Sequence, residues 1–295
     1  MKKGNKFVGV AFWWIMKHRY SLLLVATMLL LVGCNSDLHY ANSFIRKFEQ
    51  QRPSAVERIY VSLPTALIHT NSTVEGIRWF EYMPSGWQDS VVAANTAILN
   101  EIDDSIFLAQ FGQALLFTLS RLQVPIVVVD DAAQLPVPSD SVFTLCVPQL
   151  EAEEWLQPTR SDFHTRQGDY YYYDYELRHF AAHVWLRFGG ADTLAPLYYR
   201  QAATEEHFHG AVTQIRDGRA RMRTSFERIG VGDAYRTARR LGAECATLYV
   251  ERLLTEYVCR TKGTNASYFY YNPSYNTIDR TLPYDEGIKE GFERL

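Results

Sequence analysis

Cysteine is scarce, with four in 295 residues and no Cys-x-x-Cys pair, so a dithiol redox centre or a zinc knuckle has no sequence support. Also missing are GxSxG, a phosphate-binding Gly-rich loop, GxGxxG behind a strand, and HExxH, the commonest local signatures of hydrolases, nucleotide enzymes and zinc proteases. No motif implies a cofactor. There is no internal repeat and no linker rich enough to mark a second domain. Basic charge is in short supply beyond the first 33 residues. That segment holds Lys2, Lys3, Lys6, Lys17 and Arg19 without an acid, leaving 25 Lys and Arg against 33 Asp and Glu in the rest. So acidic a body is unsuited to tracking a phosphate backbone, and nucleic acid is not an expected partner. What is present is a chain 47% apolar and 14% aromatic, which excludes a disordered polymer and provides for a real core.

The longest apolar run is short too. Residues 21–33, SLLLVATMLLLVG, follow the basic cluster Lys17-His18-Arg19. At about 1.5 Å per residue, a helix of this length falls well short of the ~30 Å bilayer core and has the size of a signal-peptide h-region. The run ends in Leu31-Val32-Gly33-Cys34, which resembles the lipobox of bacterial lipoprotein precursors. The resemblance implies cleavage after Gly33, a thioether-linked diacylglycerol on Cys34 and acylation, commonly with palmitate, of the new amino group. Several acyl chains at ~0.8 kcal/mol per buried CH₂ would anchor the protein stably. Asn35, rather than Asp, follows the cysteine, which favours the outer membrane, with the body facing the periplasm or the cell surface. The chain is similar in this respect to outer-membrane lipoproteins of Bacteroidota. Phe7–Ile15 is a second apolar stretch that sits oddly ahead of the basic cluster, whereas a start at Met16 would give a conventional signal of 18 residues.

The organisation expected is a signal peptide over 1–33, a lipidated tether over 34–55, one α+β domain over 56–275 and a tail over 276–295. Glu57–Leu63 alternates and reads as a strand. Gln88–Gln123 reads as one long helix capped by Asp89 or Ser90, which places Ser105 in mid-helix. Ile126–Val129 reads as a buried strand and Ser141–Val147 as another. In Tyr170–Phe188 the apolar parity changes at Phe180, which implies a bulge or a strand that crosses between two packed surfaces. Gly189-Gly190 turns this strand into Thr193–Ala203, completing a long hairpin, and a second hairpin is expected at Asp217-Gly218. Asp233–Arg260 has amphipathic helical spacing, and Ser267–Tyr275 is aromatic and irregular. The fold class is therefore α+β, a mostly antiparallel sheet with a long hairpin and two helices packed on it. This order behind a lipobox is loosely similar in topology to the auxiliary lipoproteins of envelope ABC transporters, and that similarity transfers no residue. Cys245 and Cys259 would lie about 21 Å apart on one helix, so any bridge must use Cys146, and buried thiols are the plainer alternative.

Several constellations could carry function. Arg216 to Arg240 holds eight arginines and no lysine. Arg219, Arg221 and Arg223 alternate, forming a guanidinium row suited to bidentate capture of phosphate or carboxylate, unless they pair with the chain's own acids. Tyr171, Tyr173 and Tyr175 share a parity and could form an aromatic platform for a protein or glycan partner. His207 and His209 share a strand face about 6.6 Å apart and are weak metal candidates, with Glu205 and Glu206 nearby. His179 and His183, with Glu176, would converge on a helix, but on a strand they lie about 13 Å apart and cannot share a metal. Ser90, Ser141 and Thr193 each stand in an Asp-Ser/Thr-aliphatic triplet resembling the O-glycosylation sequon of Bacteroidota envelope proteins. Asp130-Asp131 ends a strand and is the best carboxylate pair for catalysis, although no catalytic residue is assigned. The reading that follows is a non-catalytic binding or assembly factor of the cell envelope, partnered by the membrane through its lipid and by an envelope protein or glycan. An auxiliary transport lipoprotein and a cell-wall or glycan-acting enzyme are the alternatives.

Overall fold

The computed structural model describes residues 38–43, 45–46, 58–75, 77, 80–139, 142–164, 168, 170–189, 196–216, 219–262, 267–283 and 292–295. The lipobox with Cys34, and the candidate glycosylation positions Ser141 and Thr193, lie outside these residues. No described helix is long and apolar enough to cross a membrane. Where the sequence suggests one domain with a tether and a tail, the chain divides into two compact units, 51–250 with 287–295 and 1–50 with 251–286.

The larger unit is an α+β structure around one sheet. Its strands are β1 (Arg58–Ser62), β2 (Ile68–Ser72), β3 (Ile126–Val129), β4 (Val142–His164), β5 (Tyr170–Phe188), β6 (Leu197–Glu205) and β11 (Phe292–Arg294), in the order β11-β6-β5-β4-β1-β3. The expected long hairpin is β5–β6; β5 also pairs antiparallel with β4 over a longer ladder, and the antiparallel run continues from β6 to β11. β1 and β2 both pair parallel with β4, at Val142–Cys146 and Glu151–Trp155, and β3 pairs parallel with β1. The strand expected over Ser141–Val147 runs on to His164, so the acidic segment at Glu151 is the middle of β4. Ile126–Val129 is a correction as well: β3 is an edge strand, and Val128 is 49% exposed.

Two helices pack on one face of this sheet, α2 (Asp104–Ser120) and the first part of α3 (Val231–Lys262). Phe107 meets Phe180 edge-on at 6.2 Å, and Tyr249 meets Phe188 at 5.5 Å. Phe107, Phe111, Leu115 and Leu119 of α2 and Ala238, Leu241 and Cys245 of α3 are fully buried, each large side chain contributing ~1.5–3 kcal/mol. The helices cross where Gly242 lies against the backbone of Phe111. Cys146 and Cys245 are buried free thiols, and burial raises the pKa of both.

The single long helix expected over Gln88–Gln123 is in fact two, α1 (Ser85–Asn95) and α2. Glu154 explains the break. Its side chain is fully buried and accepts hydrogen bonds from the amides of Ala97, Ile98 and Leu99 at 2.9–3.0 Å, while Arg178 donates to it from the side. Those amides cannot also serve a continuous helix. Asp103 then caps α2 by accepting from Ser105 and Ile106, so Ser105 stands in a first turn rather than in mid-helix. Pro84, not Asp89 or Ser90, precedes α1, and none of that helix's residues is buried.

The parity change in β5 is a crossing between surfaces and needs no bulge there, since β5 stays in continuous register with β4 from Trp185 to Tyr170. Phe180, Ala182, Val184 and Leu186 face the helices. Beyond Arg178 the opposite parity is covered instead, by the hairpin of β7 (His207–Arg216) and β8 (Arg219–Glu227). Tyr173 and Tyr175 stack on Phe208 at 5.5 and 4.0 Å.

In the smaller unit, β9 (Ser267–Asn272) and β10 (Thr277–Pro283) form an antiparallel hairpin where irregular chain was expected. Glu251, fully buried at the start of this unit's share of α3, accepts from the Tyr271 amide at 2.9 Å. Residues 38–43 and 45–46, expected as tether, are helical, and Ala41 and Ile45 are buried.

Candidate functional site

The β7–β8 hairpin has two chemically distinct faces. Its inner face carries Phe208 and Phe226, which lie directly across from each other with ring centroids 5.3 Å apart. Gly210 belongs to the same packing, because a Cβ there would come 2.6 Å from the Phe208 ring and 3.3 Å from Phe163. The aromatic inner face seats the hairpin on β5, and residues of the other parity are thereby turned outward. These include Arg221 and Arg223 on β8 and His207 and His209 on β7, with His209 opposite Ser225 and Arg223 opposite Ala211. A bulge between Val212 and Gln214 brings Gln214 opposite Arg221. Arg219 belongs to the same strand at the turn end, paired with Arg216.

Four of the eight arginines find partners within the chain. Arg228 binds the buried Glu206 at 2.7 Å, and Arg236 binds Asp233. Arg239 donates twice to Gln110, and Arg240 donates to the Ala203 carbonyl at 2.9 Å. Arg221 and Arg223 are exposed and make no ion pair with a described residue. Their guanidinium donors are left to water, and that is the state from which bidentate binding of a partner's phosphate or carboxylate gains most.

His207 and His209 are not joined by further metal-ligating side chains among the described residues. His209 Nε2 is 3.9 Å from Glu227 and both side chains are largely exposed. Among the described residues no group of three His, Cys, Asp or Glu could hold an ion. Asp131 caps a short 3-10 turn after β3 by accepting from the Ala133 amide, while His207 and His209 lie on β7 of the separate two-stranded sheet. Ser90 lies on α1 and donates to the Gly86 carbonyl at 3.0 Å.

The aromatic platform needs correction. Tyr173 and Tyr175 are engaged with Phe208, and the rings left in the open are Tyr170 and Tyr172, 50% and 55% exposed. Arg160 lies over Tyr172 at 4.3 Å and pairs with Asp174 at 2.6 Å. Arg160, Asp174 and Tyr175, with Pro158, Thr159 and Glu176, line a shallow groove of about 600 Å³.

One arrangement has no counterpart among the sequence expectations. On the sheet face away from the helices, His183 Nδ1 accepts from the Tyr199 hydroxyl at 2.6 Å, and its Nε2 donates to Glu153 at 3.0 Å. Ser72 donates to the other oxygen of Glu153 at 3.0 Å, while Thr70 and Gln149 donate to Glu151. Burial, then Glu293, Glu153 and Glu151, raise the pKa of Tyr199, which keeps it a donor. His179 stacks on Trp155 at 4.9 Å and binds Glu205 at 3.2 Å. Burial lowers its pKa, against the pull of Glu205 and Glu206. Each histidine thus has its own carboxylate, as the strand reading requires. The period-two order Glu151-x-Glu153-x-Trp155 was the available signal for this polar face.

No protein-family model matches the chain, and no curated protein matches it. Among solved structures, a neuraminyllactose-binding hemagglutinin homolog from Helicobacter pylori aligns over 72% of this chain and 94% of its own, at 9% identity and a TM-score of 0.32. A likeness that slight carries no argument about ligand or mechanism.

Proposed function

We propose that this chain is a lipid-anchored outer-membrane protein, tethered through Cys34, and that it serves as a non-catalytic binding or assembly factor. Its partner-binding surface is the outward face of the β7–β8 hairpin, and the partner presents phosphate or carboxylate groups, as envelope polysaccharides and acidic envelope proteins do. One observation carries the second half of this reading. Arg221 and Arg223 stand exposed and without an ion-pair partner among the described residues, although the chain has an excess of acids and Arg228, Arg236, Arg239 and Arg240 have found partners. The anchor rests on the lipobox residues.

The test uses the full chain. Metabolic labelling with palmitate marks the wild type and not Cys34→Ala. Binding is measured to purified lipopolysaccharide, to peptidoglycan sacculi and to cross-linked envelope proteins, for the wild type and for Arg221→Glu/Arg223→Glu. Charge-assisted bonds contribute about 1.5–3 kcal/mol each, so the double variant loses at least tenfold in affinity for the cognate partner. Equal binding by both proteins, or no partner of any of the three kinds, overturns the binding surface. Unlabelled wild type overturns the anchor.

A further inference from the structure

We infer that the face of the main sheet opposite its helices receives the β8 arginine row of a second copy of this chain, so that copies associate head to tail. The inference rests on the reading of that row as an anion-binding surface and names its partner.

The strand register defines the face as a grid. Gln149, Trp185, Tyr199 and Glu293 lie side by side across β4, β5, β6 and β11. The next rows run Glu151, His183, Gln201, then Glu153, Ala181, Ala203, then Trp155, His179, Glu205. Within these rows stand four carboxylates and no Lys or Arg. Glu293 is exposed, Glu205 has 51% of its side chain exposed, and Glu151 and Glu153 are half-buried. The hydrogen bonds from Thr70, Gln149, Ser72 and His183 hold Glu151 and Glu153 in fixed orientations, so a bound cation does not have to order them.

Rings complete the chemistry. Trp185 and Tyr199 lie 5.1 Å apart, and Trp155 stacks on His179. Aromatic faces set among carboxylates attract guanidinium groups by ring quadrupole and by charge together. The His179 side chain is only 9% exposed, and its buried Nε2 has no hydrogen-bond partner among the described residues.

The complement is on the same molecule. Arg221 and Arg223 are exposed and i, i+2 on a strand, as Glu151 and Glu153 are, so both rows have a spacing of about 6.6–6.8 Å. Within one copy the two rows do not meet, because neither arginine pairs with a described carboxylate. Two complementary patches at different places on one chain form a heterologous contact, which propagates into a ring or an open chain rather than a two-fold dimer.

The experiment is sedimentation of the purified full chain in detergent, across protein and salt concentrations, with two charge-reversed variants. The wild type gains mass with concentration, and its association weakens at least tenfold between 50 mM and 500 mM salt. Arg221→Glu/Arg223→Glu and Glu205→Arg/Glu293→Arg are each monomeric. Mixed in equal amounts they associate again, since the intact acidic face of one meets the intact arginine row of the other and the two reversed surfaces are themselves of opposite charge. A monomeric wild type overturns the inference, as does a mixture that stays monomeric or variants that associate as the wild type does. A monomeric wild type whose acidic face binds an arginine-rich peptide also overturns it, because the occupant is then a foreign cation. The reading of the hairpin fails separately. Glu205→Arg/Glu293→Arg keeps the wild-type affinity for the anionic envelope partner, so self-association can fail while that binding stands.

Discussion

Gly242→Ala separates helix propensity from packing in a single substitution. Alanine is the better helix former by about 1 kcal/mol, so propensity alone predicts a more stable protein. The crossing of α2 and α3 predicts the reverse. A Cβ at position 242 would lie 2.2 Å from the carbonyl oxygen of Phe111, 3.1 Å from its carbonyl carbon and 3.3 Å from the amide of Leu115. The obstacle is backbone, so no side chain can swing aside, and the helices must part by about 1 Å at a contact that wants ~3.2 Å or more between carbon and oxygen. Phe107, Phe111, Leu115, Leu241 and Cys245 are fully buried around that point and would all loosen. Overpacking of this kind costs about 1–3 kcal/mol and occasionally more, which outweighs the propensity gain. The expected net loss is about 1–2 kcal/mol, read as a fall in Tm of about 2–8 °C in a unit of this size. Gly232→Ala is the control, since the nearest atom to its added Cβ is Arg236 Nη1 at 3.9 Å, and it should be neutral or slightly stabilising. Thermal and urea unfolding of the three proteins decide the matter. Gly242→Ala unfolding at or above the wild-type midpoint would refute the close crossing.

Glu154→Ala strips the acceptor from three amides and leaves Arg178, 15% exposed at its side chain, without its carboxylate. Removing one partner of such a pair costs about 3–5 kcal/mol, against a smaller loss for Glu154→Gln, and a urea midpoint shift worth under 1 kcal/mol for alanine contradicts the capping role. His179 gives a pH dependence of defined sign. Burial lowers its pKa below the ordinary 6.5, so the unfolded chain takes up the proton first as pH falls. Its contribution is full above about pH 6.5 and is lost progressively as the pH drops below that. The wild type should therefore lose more Tm between pH 7.5 and 5.0 than His179→Gln, and parallel curves for the two remove His179 as the cause.

Much of the fold was legible where one residue pattern served one surface. The alternation of Tyr170–Phe188 marked a strand, its parity change marked the passage from one packed side to the other, and the spacing of Tyr235 through Leu248 marked α3. The sequence reading failed where a distant group decided. Nothing near Gln88–Gln123 announces that a carboxylate some 55 residues later will claim the amides of 97–99 and split the helix. Local periodicity continues through the break because Ile98 and Leu99 within it and Phe107 beyond it are all buried. Ile126–Val129 failed for a related reason. Its β-branched run has the composition of a central strand, and only the sheet order shows that it lies on an edge.

The candidate site divides along the same line. Alternation alone placed Arg219, Arg221 and Arg223 in one row, since a strand assigns facing by parity. Whether an arginine is free, however, depends on where the acids lie in space. Glu206 meets Arg228 because the β6–β7 corner folds back on Arg178, a contact that no spacing rule anticipates. The tyrosines show the converse. Tyr171, Tyr173 and Tyr175 have the parity of a platform, but a face rich in aromatics is also the face a second hairpin is drawn to cover, and Phe208 and Phe226 supply that cover. A row of guanidinium groups gains nothing from being covered by apolar side chains, so it stays outside. The hairpin therefore sorts its two parities by what each can bury, aromatic inward and cationic outward, and the burial of one is what presents the other to a partner.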